Sequence, residues 1–147
     1  MAFKNVAEIL KLVQQWEERL NSFYDIMEEY LKDGRSRETA VLLQQEQAKA
    51  IKMLKEINLK EHGRAEYVQN VPDYDSEEII PHFEISADSS PKEVFETILE
   101  YEEKLEKFYT HLRDIVTFEK SRDLLDMLVQ FKMGQIKKIE AFMDSYD

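Results

Sequence analysis

The sequence predicts an all-α fold of four helices, built as two copies of one antiparallel hairpin. Three observations predict it: an internal repeat, helix caps that obey the same repeat, and a composition poor in breakers. Within the 147 residues, an offset of 85 aligns residues 7–57 with residues 92–142 without a gap. The clearest block sets WEERLNSFY (16–24) over YEEKLEKFY (101–109), pairing Glu17 with Glu102, Leu20 with Leu105, Phe23 with Phe108 and Tyr24 with Tyr109. Self-similarity at a fixed offset marks a repeated supersecondary unit. With 35% charged residues but only 3 Gly and 3 Pro, long helices are favoured over sheet.

The caps place the elements. Asn5 with Glu8, and Ser90-Pro91 with Glu93, read as helix N-caps followed by an acidic first turn. Helix 1 is expected from Val6 to Lys32, ended by Gly34, and helix 2 from Arg37 to Glu61, ended by Gly63 as a left-handed cap. Helix 3 is expected from Pro91 to Thr117 and helix 4 from Arg122 to Ser145. Short turns at 33–36 and 118–121 make each pair a hairpin, so residues 1–147 form one domain with hairpin 1 at 6–61 and hairpin 2 at 91–145. The segment 64–90 holds two of the three prolines and no helical period. Its length suffices to cross the bundle, since ~27 extended residues reach ~90 Å, so a crossover that makes helices 2 and 3 parallel is permitted. Ile79, Ile80, Phe83 and Ile85 within it are expected to bury against the bundle's side.

At 100° per residue, helix 1 carries the stripe Ile9, Val13, Trp16, Leu20, Phe23, Tyr24, Met27 and Leu31. Helix 3 repeats it as Val94, Ile98, Tyr101, Leu105, Phe108, Tyr109, Leu112 and Val116. Glu17 and Glu102 sit on the shoulder of these stripes, while Glu18 and Glu103 point outward. Helix 2 reads as Leu43, Ala50, Leu54 and Ile57, with Glu46 inside the line and Lys49 at its edge. Helix 4 reads as Leu128, Phe131, Gln135, Ile139 and Phe142, so Phe131 and Gly134 stand opposite Glu46 and Lys49 in the repeat. An acid inside an apolar stripe needs a partner or a proton.

Composition excludes several function classes. A net charge of −11, from 31 acidic against 20 basic residues, repels a phosphate backbone or an anionic membrane surface, so neither nucleic acid nor membrane is expected as a partner. No run approaches the ~20 apolar residues that span a bilayer, and no signal peptide is recognisable, which gives the expectation of a soluble cytoplasmic protein. The absence of Cys removes disulfides and thiolate chemistry. His62, His82 and His111 have no i, i+4 pairing, and no triad, HExxH motif or glycine-rich phosphate loop occurs, so no catalytic residue is expected.

These features resemble the ferritin-like superfamily, and within it the rubrerythrin-like proteins, whose bundle is a duplicated hairpin with a long crossover. The resemblance implies a di-iron centre built from a Glu on helices 1 and 3 and a Glu-x-x-His on helices 2 and 4. The first pair corresponds to Glu17 and Glu102, each seven residues before a Tyr. Glu46-x-x-Lys49 and Phe131-x-x-Gly134 stand as the degenerate forms of the other two. On this reading the vestigial positions Glu17, Glu46, Lys49, Glu102, Phe131 and Gly134 bind no metal or cofactor, and Lys49 neutralises Glu17 or Glu46 in a buried pair.

The expected function is a non-catalytic structural or interaction module that forms a homodimer through helix faces. The alternative is a metal-binding oxidoreductase or peroxide-handling protein holding iron or manganese through Glu17, Glu46 and Glu102. A third idea places a small-ligand pocket beside Gly134 and Phe131.

Overall fold

The computed structural model describes residues 4–65, 67–68 and 89–145. Its elements are β1 (Lys4–Asn5), α1 (Val6–Tyr30), α2 (Gly34–Glu56), α3 (Leu59–Ala65), β2 (Tyr67–Val68), α4 (Pro91–Ile115) and α5 (Glu119–Ser145). Four long helices dominate, and β1 pairs antiparallel with β2 through Lys4 opposite Val68 and Asn5 opposite Tyr67.

Local chemistry sets the helix starts. Asn5 Oδ1 accepts from the Ala7 N–H at 2.8 Å, Asp33 Oδ1 from Ser36 N–H at 3.2 Å, and Ser90 Oγ from Glu93 N–H at 3.2 Å. Each satisfies one of the amide donors that a helix N-terminus leaves without an intrahelical partner. Glu8, Glu93 and Glu119 add negative charge to the first turns of α1, α4 and α5, where the helix dipole favours it.

Two predicted boundaries are corrected. Gly34 does not close α1 but opens α2 behind the Asp33 cap; α1 ends at Tyr30, where the Leu31 N–H still donates to Met27 O at 2.8 Å and Leu31 turns extended. Gly63 is likewise no terminal cap: the chain breaks at Ile57 and Asn58, and Gly63 lies within the short α3. At both places an aspartate or asparagine-containing turn, rather than a left-handed glycine, redirects the backbone. Predicted Ile79, Ile80, His82, Phe83 and Ile85 lie outside the described residues.

Contacts fix the helix directions. Gln14 Nε2 donates to Leu54 O at 2.8 Å while Glu17, further along α1, meets Gln47, further back on α2, so α1 and α2 are antiparallel. Trp16 meets Phe108 edge-on with centroids 5.1 Å apart, while Phe23 meets Tyr101 at 6.3 Å, which makes α1 and α4 antiparallel too. α2 and α4 therefore run parallel, as the crossover reading requires. Phe95 against Phe142 and Arg113 against Asp126 hold α4 to α5, and Gln135 Nε2 donates to Leu43 O at 3.0 Å between α5 and α2.

One core joins all four long helices. Every residue of the predicted α1 and α4 stripes is buried, from Ile9 to Leu31 and from Val94 to Val116. Burying a Leu or Phe side chain contributes ~1.5–3 kcal/mol, so this shared core holds the hairpins together. The predicted lines of the other two helices hold at Leu43, Leu54, Leu128, Gln135, Ile139 and Phe142, whereas Ala50 and Ile57 are half-buried and Glu46 and Phe131 yield the core to their neighbours Gln47 and Lys132. In α2 the buried positions are Ser36, Ala40, Leu43, Gln47, Ile51 and Leu54, and in α5 they include Leu125, Leu128, Lys132, Gln135, Ile139 and Phe142.

Candidate functional site: a buried charge cluster

A displacement of one residue, from Glu46 to Gln47 and from Phe131 to Lys132, puts two partners at the 85-residue offset into the centre of the core. Glu17 and Glu102 meet them there, and all four side chains are fully buried. The Lys132 ammonium contacts Glu17 Oε1 and lies 3.1 Å from Glu102 Oε2. The second oxygen of each acid accepts from a tyrosine of the opposite half: Tyr24 Oη donates to Glu102 Oε1 at 2.9 Å, and Tyr109 Oη to Glu17 Oε2 at 3.1 Å. Gln47 Nε2 reaches Glu17 Oε1 at 3.5 Å. The exchange of tyrosines between halves follows from the duplication, because each acid precedes its own tyrosine by two helical turns and faces the antiparallel neighbour's.

The electrostatics explain why these groups need one another. Burial alone pushes the Lys132 ammonium toward losing its proton, but Glu102 and then Glu17 overcome this and hold its pKa above the usual lysine value. Burial raises the Glu102 carboxyl, with Glu17 adding to the rise and Lys132 opposing it. Tyr24 and Tyr109 are raised well above 10, first by burial and then by the carboxylate each contacts. The cluster therefore retains protons: one ammonium, two phenols and an acid that resists ionising beside a second acid. A buried carboxylate is tolerated only when its lone pairs are met in this way.

The sequence-predicted site is reunited only in part. Glu17 and Glu102 are where the stripes put them, at the centre. Glu46 and Lys49 are not: they form an i, i+3 pair at 3.2 Å on the outside of α2, with side chains 40% and 75% exposed. The buried Lys49 pair is thus overturned, because position 46 lies about 100° off the core line that Gln47 occupies. Phe131 is half-buried and Gly134 turns a face with nothing within 4 Å of an added Cβ. Phe131 does line a shallow groove of about 240 Å³ with Glu46, Lys49, Met53 and Met127, but Gly134 is not part of it.

Sequence reasoning missed Gln47 and Lys132, naming neither as a core or a site position. A usable signal was present: Ala40, Leu43, Gln47, Ile51 and Leu54 are spaced 3, 4, 4 and 3, and Leu125, Leu128, Lys132, Gln135, Ile139 and Phe142 alternate 3 and 4. Each line is unbroken only when the polar residue is counted as core.

The donor set does not suit a di-iron centre. Among the described residues, no three His, Cys, Asp or Glu side chains come together. Between the two carboxylates stands an ammonium, which has three donors and no lone pair for a cation.

No family model matches the chain, and no curated protein matches it. A solved structure of a hypothetical protein from Pyrococcus furiosus is similar at 18% sequence identity and a TM-score of 0.66, covering 95% of this chain and 88% of that one. Similarity at this identity concerns the fold.

Proposed function

We propose that the chain is a ferritin-like bundle in which a lysine has taken over the electrostatic task of the metal, leaving a non-catalytic structural or interaction module. The observation that carries this reading is the Lys132 ammonium, fully buried between Glu17 and Glu102. In the ferritin-like pattern a Glu from each of two helices faces a Glu-x-x-His on each of the other two. Set in the register of the core, those two motifs correspond to Gln47-x-x-Ala50 and Lys132-x-x-Gln135. Four of six ligand positions, Gln47, Ala50, Lys132 and Gln135, then hold neither a carboxylate nor an imidazole, and the charge of the two remaining acids is met from within the chain.

The oxidoreductase alternative needs Glu46 beside Glu17 and Glu102, and Glu46 sits on the outer flank of α2 paired with Lys49. The pocket idea needs a space at Gly134, which faces outward.

Elemental analysis of protein purified without affinity histidines, joined to melting curves with added Fe(II), Mn(II) or Zn(II), tests the proposal. The expected result is metal well below one ion per chain and unchanged melting temperature. Iron or manganese near one per chain would overturn it.

A further inference from the structure

We infer that the outer seam between α2 and α5 is a docking surface for a second copy of this chain, pairing the two seams about a twofold axis. The inference rests on the reading of the bundle as an interaction module and names the face it uses. Leu42 and Met127, at 56% and 54% exposure, are the two most exposed large apolar side chains among the described residues. They are also partners at the 85-residue offset, so the duplicated hairpin presents the same apolar site twice along one seam. Leu42 lines a groove of about 380 Å³ running to Phe142, and Met127 lines the groove of about 240 Å³ with Met53 and Phe131. Apolar side chains exposed at equivalent places on both halves have no role in the buried charge cluster.

Charge selects the occupant. The side chains lining the two grooves include Arg35, Lys49 and Lys138 against Glu38 and Glu46, so the grooves carry one surplus positive charge within a chain of net charge −11. An isologous contact lays one patch on its own copy, and a strongly acidic patch would repel itself. The seam is a nearly neutral place on an acidic molecule, which is what self-pairing requires and what a cationic partner would not seek. Size agrees. α2 has 23 residues and is therefore ~35 Å long, and two adjacent helices are ~20 Å wide, giving ~700 Å² per copy. A stable interface of standard size buries ~800 Å² per partner.

Sedimentation equilibrium of the full chain tests this, across concentrations from ~1 to ~200 μM. The expected species is a dimer of about 35 kDa, twice the 17.6 kDa of the chain. Leu42→Glu with Met127→Glu is expected to give monomer throughout, and Ile26→Glu with Tyr30→Glu, on the outside of α1, to leave the dimer intact. If the glutamate pair disturbs folding by circular dichroism, Leu42→Ala with Met127→Ala is expected to weaken dimerisation at least about tenfold with helicity unchanged. A wild-type monomer at every concentration would overturn the inference, as would a dimer lost through Ile26 and Tyr30 rather than the seam. A monomer free of metal removes this interface and leaves the Lys132 reading in place, whereas metal in a dimer does the reverse.

Discussion

Lys132 Nζ lies 3.1 Å from Glu102 Oε2 with both side chains fully buried, and the two residues come from neighbouring antiparallel helices of the second hairpin. The same ammonium contacts Glu17 of the first hairpin, so one charge ties the two halves at their centre. Such a tie has an asymmetric energetics. Removing one member leaves the others charged and dry, at ~3–5 kcal/mol, whereas replacing the whole set by neutral groups of like shape is often neutral or stabilising.

Lys132→Met is therefore expected to destabilise the protein by ~3–5 kcal/mol, lowering the melting temperature by roughly 10 °C or more at this chain length. Adding Glu17→Gln and Glu102→Gln should recover most of the loss. Lys49→Met and Glu46→Gln, on the surface pair, should each stay within about 0.5 kcal/mol. Thermal melts followed by circular dichroism read all four. A fully additive triple variant would show that the three charges do not act as a unit.

The contrast between Lys49 and Lys132 shows what the sequence makes legible. The repeat, the Asn5 and Ser90 caps, the two hairpins and the stripes of α1 and α4 are all readable, because those stripes consist of apolar residues at helical spacing. Glu17 and Glu102 are readable from their place on the shoulder of the stripes and from the resemblance, which implies an acid seven residues before a Tyr. The faces of α2 and α5 are readable at Leu43, Leu54, Leu128, Ile139 and Phe142 but not at their centres, which are the polar Gln47 and Lys132. Glu46 is three residues from Leu43 and Gln47 four, so both fit a helical stripe locally; the longer run Ala40, Leu43, Gln47, Ile51 and Leu54 favours Gln47, and the packing of α2 onto α1 sets Gln47 at Glu17. A charged residue becomes a core residue when its partners lie on other helices, and single-helix periodicity carries no information about them.

The alkaline limb of the stability curve should expose the tyrosines. Tyr24, Tyr109 and Lys132 all have folded-state pKa values raised above their unfolded ones. Each such group contributes stability that is fully present below its unfolded pKa, about 10 for Tyr and 10.4 for Lys, and that is lost as pH rises through the folded value. Unfolding free energy is expected to fall steeply above about pH 10. In absorbance at 295 nm, Tyr24 and Tyr109 should ionise only together with loss of helix, and Tyr24→Phe with Tyr109→Phe should remove that late phase. A late phase that survives the double substitution would assign it to other tyrosines.

Restoring the ligands tests descent from a metal-holding bundle. Gln47→Glu, Ala50→His, Lys132→Glu and Gln135→His together rebuild the Glu-x-x-His on α2 and on α5 opposite Glu17 and Glu102. Without metal this variant gathers four carboxylates in one core and should be markedly less stable than the wild type. With Co(II) in hundredfold excess over its dissociation constant it should regain ~2.7 kcal/mol or more, since a ligand that binds only the folded state stabilises by mass action. Cobalt visible absorption and elemental analysis should report about two ions per chain. The parallel variant that keeps Glu46 and carries Lys49→His, Phe131→Glu and Gly134→His places its ligands outside the core and should bind no such pair. A rebuilt variant that folds, by circular dichroism, and takes up no cobalt would count against the ferritin-like reading, because the geometry of Glu17, Gln47, Glu102 and Lys132 would then lack the convergence that a two-metal site demands.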